Sequence, residues 1–463
     1  MNSKFYYENK ENIKRVKYEN IYFFNNEFYF LTLDKNIQLQ EVKLLGGPEH
    51  SGCIHKNEYI FKPNIKFFNN EKEINNFLYK EIIEIKGISN YFSHYYEHNI
   101  GHGLFDALYP SFLTLHNFFN ENNNYTNLIN LLHVPGWVCP MKCTKDWVLQ
   151  IMEKFSGNKN LLKNNLDKNK IYKFEVLIAG SGYCGYSTIN KKYITPGKDF
   201  NSLSLFRNRF YNKYNIQRKN TYERNKIIII ESERYSIQEK NILLEIKKKL
   251  NSENFNCEFI NWKNYVNFKE QLELLNNSYM HISSSGTSMM NFVFLNEKSV
   301  HINLGTNNYQ DCYQIKNNEE RLLLMDIPIS LLSNDIYIDY YNIFVHKKIL
   351  FKEVYNIILK NIKYFNTYLK NTNVFNVNIK IPNFVKVWQD FCLSDIYNDL
   401  RDKNNINEII MGMNNDINNG LVSVRWIEMI SLNYSPFNEK YNFISPKNSK
   451  LLDIIKKKYD CIL

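Results

Sequence analysis

The sequence predicts an α/β protein in which helices are wound over open, mainly parallel sheets. Three observations carry this. Residues 226–304 alternate short apolar runs with amphipathic stretches, at the spacing of a strand–helix repeat. The first of those runs, Lys226–Ile230 (KIIII), is β-branched almost throughout, as in a strand covered on both faces. Tyr279–Asn291 (YMHISSSGTSMMN) passes from an apolar run through three serines and a glycine into a helical pattern, the form of a buried strand feeding a turn that opens a helix.

The chain has 463 residues, of which 44% are hydrophobic, enough for two or three packed domains. The formal net charge of +11 is mild for this length, and the basic residues are scattered rather than gathered in one stripe. That balance suits an anionic ligand such as a nucleotide and does not call for nucleic acid. Eight cysteines are spread along the chain. Only Cys139 and Cys143 lie close together, and with His133 they lack the second ligand pair of a zinc site, so they read as ordinary thiols. The amino-terminal stretch has no apolar signal core, and no run of roughly 18 apolar residues occurs. The expectation is no membrane span and a reducing, cytoplasmic compartment.

In order, residues 1–75 read as irregular strands with polar turns, around Asn20–Phe30 and Glu58–Phe68. Leu78–Ile88 is ambiguous between short helix and strand. Within Tyr91–Phe119, Leu104, Phe105, Leu108, Phe112 and Leu115 recur at helical spacing, Asn99 and Gly101 sit at the helix start, and Pro110 should kink the helix or end its first part. Leu128–Val134 is a strand, Thr144 caps a helix to about Phe155, Ile171–Ala179 is a strand, and Leu203–Tyr214 is a helix. The polar, basic stretch 215–224 marks a domain boundary. Beyond it, strands at Lys226–Ile230, Cys257–Trp262, Tyr279–Ile282 and Ser299–Leu304 interleave with helices at Ile237–Leu250, at Phe268–Leu275 and after the Ser/Gly turn. This alternation gives a doubly wound sheet, whose ligands sit beyond the carboxyl ends of its strands. Residues 311–345 read as a loop with short elements, Phe351–Leu369 as a helix, and Ser449–Lys458 as a charged helix near the end.

Two stretches could carry chemistry. The Ser/Gly turn would offer backbone N–H groups and the positive end of a helix dipole, with hydroxyls from Ser283, Ser284, Ser285, Thr287 and Ser288, to a phosphate. An ordinary N-capped turn without a ligand is the alternative. In the second stretch, His102 and Asp106 are four apart, on one helix face, with Asn99 just before the first turn. A histidine and a carboxylate so placed can act as a general base and its orienter, or form a buried polar cluster that only ties the helix down. A metal site on His94, His98 and His102 is conceivable but disfavoured, because the glycine- and proline-punctuated stretch need not keep all three on one face.

Together the two stretches resemble the family 61 glycosyltransferases over about residues 90–305. The amino-terminal family motif, Asn-x-x-His-x-x-x-Asp at a helix head, is matched by Asn99-Ile-Gly-His102-Gly-Leu-Phe-Asp106. The carboxyl-terminal block is matched by Phe268, Glu270, Gln271, Leu274, Ile282, Gly286 and Asn291, with Arg234 where the family has an arginine after a strand. The chain departs in three places. Ser284-Ser285-Gly286-Thr287 replaces a Pro-His-Gly-Ala turn, a second arginine is missing after Arg234, and His301-Ile-Asn303-Leu304 replaces a strand ending in an acid.

The resemblance implies a GT-B-like fold: two Rossmann-like domains facing across a cleft, with a helical C-terminal extension. The domains would be an acceptor-side domain at 1–220, a nucleotide-sugar-binding domain at 221–345 and the extension at 346–463. It implies an inverting, metal-independent transfer of a sugar from a nucleotide-sugar donor to an acceptor hydroxyl on a glycan or glycoprotein, with no further cofactor. Asp106 or His102 would be the base, within a catalytic set that includes Asn99. Arg234, Ser284, Ser285, Gly286, Thr287 and Asn291 would bind the donor. The other reading on the same fold is a catalytically inactive nucleotide- or glycan-binding protein, suggested by the missing turn histidine.

Overall fold

The computed structural model describes residues 2–10, 13–44, 60–78, 81–94, 100–119, 129–135, 145–156, 161–162, 166–180, 188–190, 202–284, 286–305, 339–342, 349–370 and 421–423. The chain divides into two units, residues 1–190 with 208–213, and residues 191–207 with 214–463. Among the described residues no helix is long and apolar enough to cross a membrane.

The first unit begins with three strands, β1 (Lys4–Lys10), β2 (Ile13–Phe24) and β3 (Glu27–Thr32), paired antiparallel in succession. Asn25 and Asn26 both take left-handed φ values, 49° and 65°, as a two-residue hairpin turn between twisted strands requires. There follow β4 (Val42–Lys43), β5 (Ile60–Phe61), β6 (Asn64–Phe67), α1 (Glu71–Phe77) and β7 (Ile82–His94). A helical run comes next, made of α2 (Ile100–His102), a π-helical turn at Gly103–Leu108, and α3 (Tyr109–Phe118). The remaining elements are β8 (Ile129–Pro135), α4 (Lys145–Ser156), β9 (Leu161–Leu162), β10 (Ile171–Ala179), β11 (Thr188–Asn190) and the second half of α5 (Ser202–Lys213), whose residues 202–207 belong to the other unit.

The main sheet runs β6-β3-β2-β10-β7-β8-β9, with β1 also on β2. It departs from a purely parallel, Rossmann-like sheet. β10, β7, β8 and β9 are parallel, whereas β1, β2 and β3, and β2 with β10, are antiparallel. For β2 and β3 the reason is local: consecutive strands joined by a two-residue turn can only pair antiparallel. An aromatic core packs on this sheet, including Phe23, Phe28, Phe61, Tyr91 and Phe174.

The ambiguity at Leu78–Ile88 resolves into the cap of α1 at Leu78 and, from Ile82, the start of the long central strand β7. Gly87, with φ of 78°, adds an extra residue opposite β10, so the register shifts between Phe174 and Val176. Such a bulge breaks the inside–outside alternation on which a sequence reading of a strand depends.

The second unit holds β12 (Lys226–Ile230), α6 (Ile237–Ser252), β13 (Asn256–Ile260), α7 (Phe268–Asn276), β14 (Ser278–Ser283), a 3-10 helix at Thr287–Phe294, β15 (Val300–Asn303), β16 (Asp339–Asn342) and α8 (Phe351–Lys370). Its five strands are all parallel, in the order β13-β12-β14-β15-β16. α6 begins where Ser236 and Glu239 cap each other's backbone N–H groups, at 3.2 and 2.9 Å. Leu243, Ile246 and Leu250 of α6, with Val354, Ile358 and Ile362 of α8, pack on the sheet face formed by Ile227, Ile229, Met280, Ile282, Val300 and Ile302. α7 and the 3-10 helix cover the other face, where Phe292 stacks on His301. Helices on both faces of a parallel sheet are the doubly wound arrangement.

β16 is one of the short elements expected within 311–345. α8 packs on this sheet. One element differs in kind from expectation. The segment after the Ser/Gly turn winds as a 3-10 helix: Met289, Met290, Phe292, Val293, Phe294 and Leu295 are all buried, so no solvent face imposes a 3.6-residue period. The loop that follows is fixed by arginines. Fully buried Arg207 donates to Leu295 O at 2.7 Å and to Glu297, Arg218 donates to Asn296 and Glu297, and Arg224 donates to Ser299 and Glu297 O. Burial opposes ionisation of Glu297, but Arg207 and Arg218 hold its carboxyl below the usual range. Beyond residue 370 the described element is β17 (Leu421–Ser423); the helix expected at Ser449–Lys458 lies outside the described residues.

Candidate functional site

The strand order, numbered within the second unit, is 2-1-3-4-5. β12 and β14 are therefore the neighbours from which the chain proceeds in opposite directions across the sheet. In doubly wound sheets a crevice opens beyond the carboxyl ends of such a pair, because the connections leave towards opposite faces. Beyond β12 stand Glu231–Tyr235; beyond β14 stand Ser284 and Gly286.

Gly286 has φ of 128°, a conformation closed to residues with a side chain. A Cβ added there would lie 3.0 Å from both Cζ and Nη1 of Arg234, so the guanidinium rests directly against the glycine. The structure thus brings together Arg234 and Gly286, which are 52 positions apart in sequence (286 − 234). The loop carrying Arg234 is braced from several sides. The Ser232 hydroxyl accepts from the Arg234 N–H at 3.2 Å, and the Glu231 carboxylate accepts from Lys240 at 3.0 Å and from Asn261 at 2.9 Å. The Glu231 N–H also donates to Ile260 O at 2.7 Å.

Ser283 and Ser284 are completely buried, and neither hydroxyl has a hydrogen-bond partner among the described residues. A buried hydroxyl left without a partner costs about 1–3 kcal/mol, so such groups in a native fold call for an explanation. The 3-10 helix starts at Thr287, and no side chain caps that end. A guanidinium against Gly286 and an uncapped helix start at Thr287 set N–H donors side by side, suited to oxygens that carry negative charge.

The other donor-side residues fare differently. Asn291 is buried and donates to Gln271 Oε1 at 3.1 Å, tying the 3-10 helix to α7. Ser285 lies outside the described residues, and Thr287 is the first residue of the 3-10 helix.

In the first unit, Asn99 lies outside the described residues. His102 is the last residue of α2, and Asp106 sits within the π turn. Pro110 follows in the first turn of α3. It has no N–H to give the carbonyl of Asp106, and its ring would clash with that carbonyl in regular α winding; a widened turn immediately upstream relieves both. Turns of this kind recur at functional sites. α3 is fastened to the sheet by Asn90 of β7, which donates to Ser111 O at 3.0 Å and Ser111 Oγ at 2.7 Å, and by Thr114, which donates to Gly180 O. Sequence reasoning passed over Ser111 and Thr114, although both are polar residues lying beside the apolar stripe of Phe112 and Leu115. His94 ends β7 and His98 lies outside the described residues; among those described, no group of three His, Cys, Asp or Glu side chains could hold a metal ion.

A buried histidine pair was also missed. His281 of β14 and His301 of β15 stand opposite each other in the ladder with their Nδ1 atoms 2.9 Å apart, both fully buried. Burial pushes the His281 imidazole down to about 3; burial and the adjacent His281 hold His301 well below the ordinary histidine range. The available signal was a single histidine at the same point of two successive apolar strands.

No protein-family model and no curated protein matches the chain. The likeness to family 61 rests on the motifs quoted above.

Proposed function

We propose that the protein is a nucleotide-sugar-dependent glycosyltransferase of GT-B type whose second unit holds the donor diphosphate. The observation that carries this is the Arg234 guanidinium against Gly286, at the strand-order switch and at the uncapped start of the 3-10 helix. When a glycosidic C–O bond to a nucleoside diphosphate breaks, negative charge grows on the leaving phosphate. A guanidinium and fixed backbone N–H donors stabilise that charge without reorganising. The acceptor hydroxyl needs one base in a single-displacement, inverting transfer, and that role falls to Asp106 or His102, with the other as orienter.

The test is incubation with a panel of nucleotide-sugars, reading release of nucleoside diphosphate with and without glycan acceptors. Release from at least one donor is expected, and its absence in Arg234→Ala. Failure of every nucleoside diphosphate to raise the thermal midpoint overturns the reading. The turn Ser284-Ser285-Gly286-Thr287, with no imidazole, favours a second reading, an inactive nucleotide-binding protein. Binding without any turnover would select it.

A further inference from the structure

The chain leaves the carboxyl end of β12 at Glu231 and enters α6 at Ile237. Between them Arg234 is carried to Gly286. A long, flexible side chain holds a fixed point only if the backbone beneath it is fixed, because each turning bond lowers the chance of finding it there. The α6 end of this stretch is held by buried Tyr235 and by the reciprocal cap of Ser236 and Glu239. Within it, the Ser232 hydroxyl accepts from the Arg234 N–H at 3.2 Å and Ser232 O accepts from the Tyr235 N–H at 3.2 Å. Those two bonds close a turn but tie it only to itself. Its β12 end is tied to the neighbouring elements by Glu231.

Glu231 joins three elements. Its N–H donates to Ile260 O at 2.7 Å, at the end of β13. Its Oε1 accepts from Lys240 Nζ of α6 at 3.0 Å, and its Oε2 from Asn261 Nδ2 beyond β13 at 2.9 Å. Asn261 is itself fixed, because its Oδ1 accepts from the Lys263 N–H at 2.9 Å. Charge-assisted bonds from two different elements hold the carboxylate in one arrangement. Glu233, two residues on, makes the contrast: it pairs with Lys263, but the two side chains are 84% and 76% exposed, and so open a pair holds little. The side chains of Glu231 and Lys240 are 28% and 32% exposed. A carboxylate beside an anion site also carries a cost, since like charges repel, and the Lys240 ammonium offsets it. A carboxylate placed there against its charge points to a task in geometry.

We infer that Glu231 is the positioning residue of the donor site: its bonds to Lys240 and Asn261 set the loop so that the Arg234 guanidinium rests against Gly286, and it acts on the anion only through that arginine. This rests on the function proposed above. Its signature is one that charge alone does not produce. Removing a negative charge beside an anion tightens binding by electrostatics. Removing a positioning residue weakens it, and the weakening vanishes once the guanidinium it positions is gone.

The test is titration calorimetry of inorganic pyrophosphate with the full chain as wild type, Glu231→Ala, Arg234→Ala and the double variant. Glu231→Ala should weaken binding by about three- to tenfold, less than loss of the guanidinium itself. In the Arg234→Ala background it should weaken binding no further, within about twofold. Unchanged or tighter binding in Glu231→Ala, or the same loss in both backgrounds, overturns the positioning role. Glu233→Gln should stay within about twofold of wild type; a loss as large as that of Glu231→Ala overturns the role as well. Should Glu231→Ala fail to fold, Glu231→Gln keeps the side chain's size while giving up its charge, and the same sign and the same dependence on Arg234 are expected of it. The series is repeated with a nucleoside diphosphate: a loss confined to that ligand puts Glu231 on the nucleoside itself and overturns positioning. If the wild type binds neither ligand, the function proposed above falls and the positioning role with it; if the wild type binds and only the Glu231 results fail, the function stands without it.

Discussion

The turn after β14 and the helical run after β7 both present polar groups at the end of a central strand, but different forces hold them. The turn is fixed by topology: it projects from a parallel sheet buried on both faces, and a guanidinium from the adjacent strand's loop closes over its glycine. The helical run widens to a π turn just before Pro110, where local winding and the packing of Leu104, Phe105, Ala107 and Leu108 meet. A site fixed by topology suits a task needing unmoving donors, such as holding a diphosphate. A π turn re-aims the residues within it, which suits placing a single reactive group.

The largest effect that separates the two is expected from Asp106→Asn. Losing a general base lowers turnover by about 10²–10⁴-fold while leaving nucleoside diphosphate binding within about twofold. Initial rates and titration calorimetry check this pair of outcomes. Turnover within about tenfold of wild type removes Asp106 from the role and leaves His102 as the base. Arg234→Ala should weaken binding together with turnover. A charge-assisted contact is worth about 1.5–3 kcal/mol, so nucleoside diphosphate affinity should fall by about 10–150-fold. The melting temperature should hardly change, since the side chain is only partly buried.

A smaller effect is expected from Gly286→Ala. The left-handed φ of 128° costs about 1–3 kcal/mol with a Cβ present, and the methyl would press on the guanidinium 3.0 Å away. The thermal midpoint should fall by several degrees, and the affinity by about tenfold. If the Gly286→Ala variant bound as tightly as the wild type, the closeness of arginine and glycine would have no part in binding.

Much of the second unit was legible because its strands are continuous apolar runs and its helices carry caps. Lys226–Ile230 and the start of α6 at Ser236 and Glu239 are cases in point. The first unit was less legible for identifiable reasons. The bulge at Gly87 hid the length of β7, and the antiparallel pairing of β1, β2 and β3 depends on partners that no local pattern names. At the site, Arg234, Ser284 and Gly286 could be singled out from motif and turn chemistry. The histidine pair could not, because its meaning lies in the register of β14 on β15, and the tie from Asn291 to Gln271 across two helices is likewise a matter of tertiary placement.

The smallest expected effect bears most directly on what holds the first-unit motif. Pro110→Ala restores an N–H that could bond the Asp106 carbonyl in regular α winding. Removing the extra residue of the π turn would rotate the upstream segment by up to about 100°, the angle one residue subtends. Downstream, α3 is anchored by Asn90 to Ser111 and by Thr114 to Gly180, so any rotation must fall on residues 100–108. Those residues resist it, because Leu104, Phe105, Ala107 and Leu108 are buried and each large apolar side chain contributes about 1.5–3 kcal/mol by staying so. Packing should therefore keep the π turn after the proline is gone, with turnover reduced less than about tenfold and the melting temperature within a few degrees. A collapse of turnover at unchanged stability would mean that the proline alone sets the turn, and that the first-unit motif lacks the packed support of the second-unit turn.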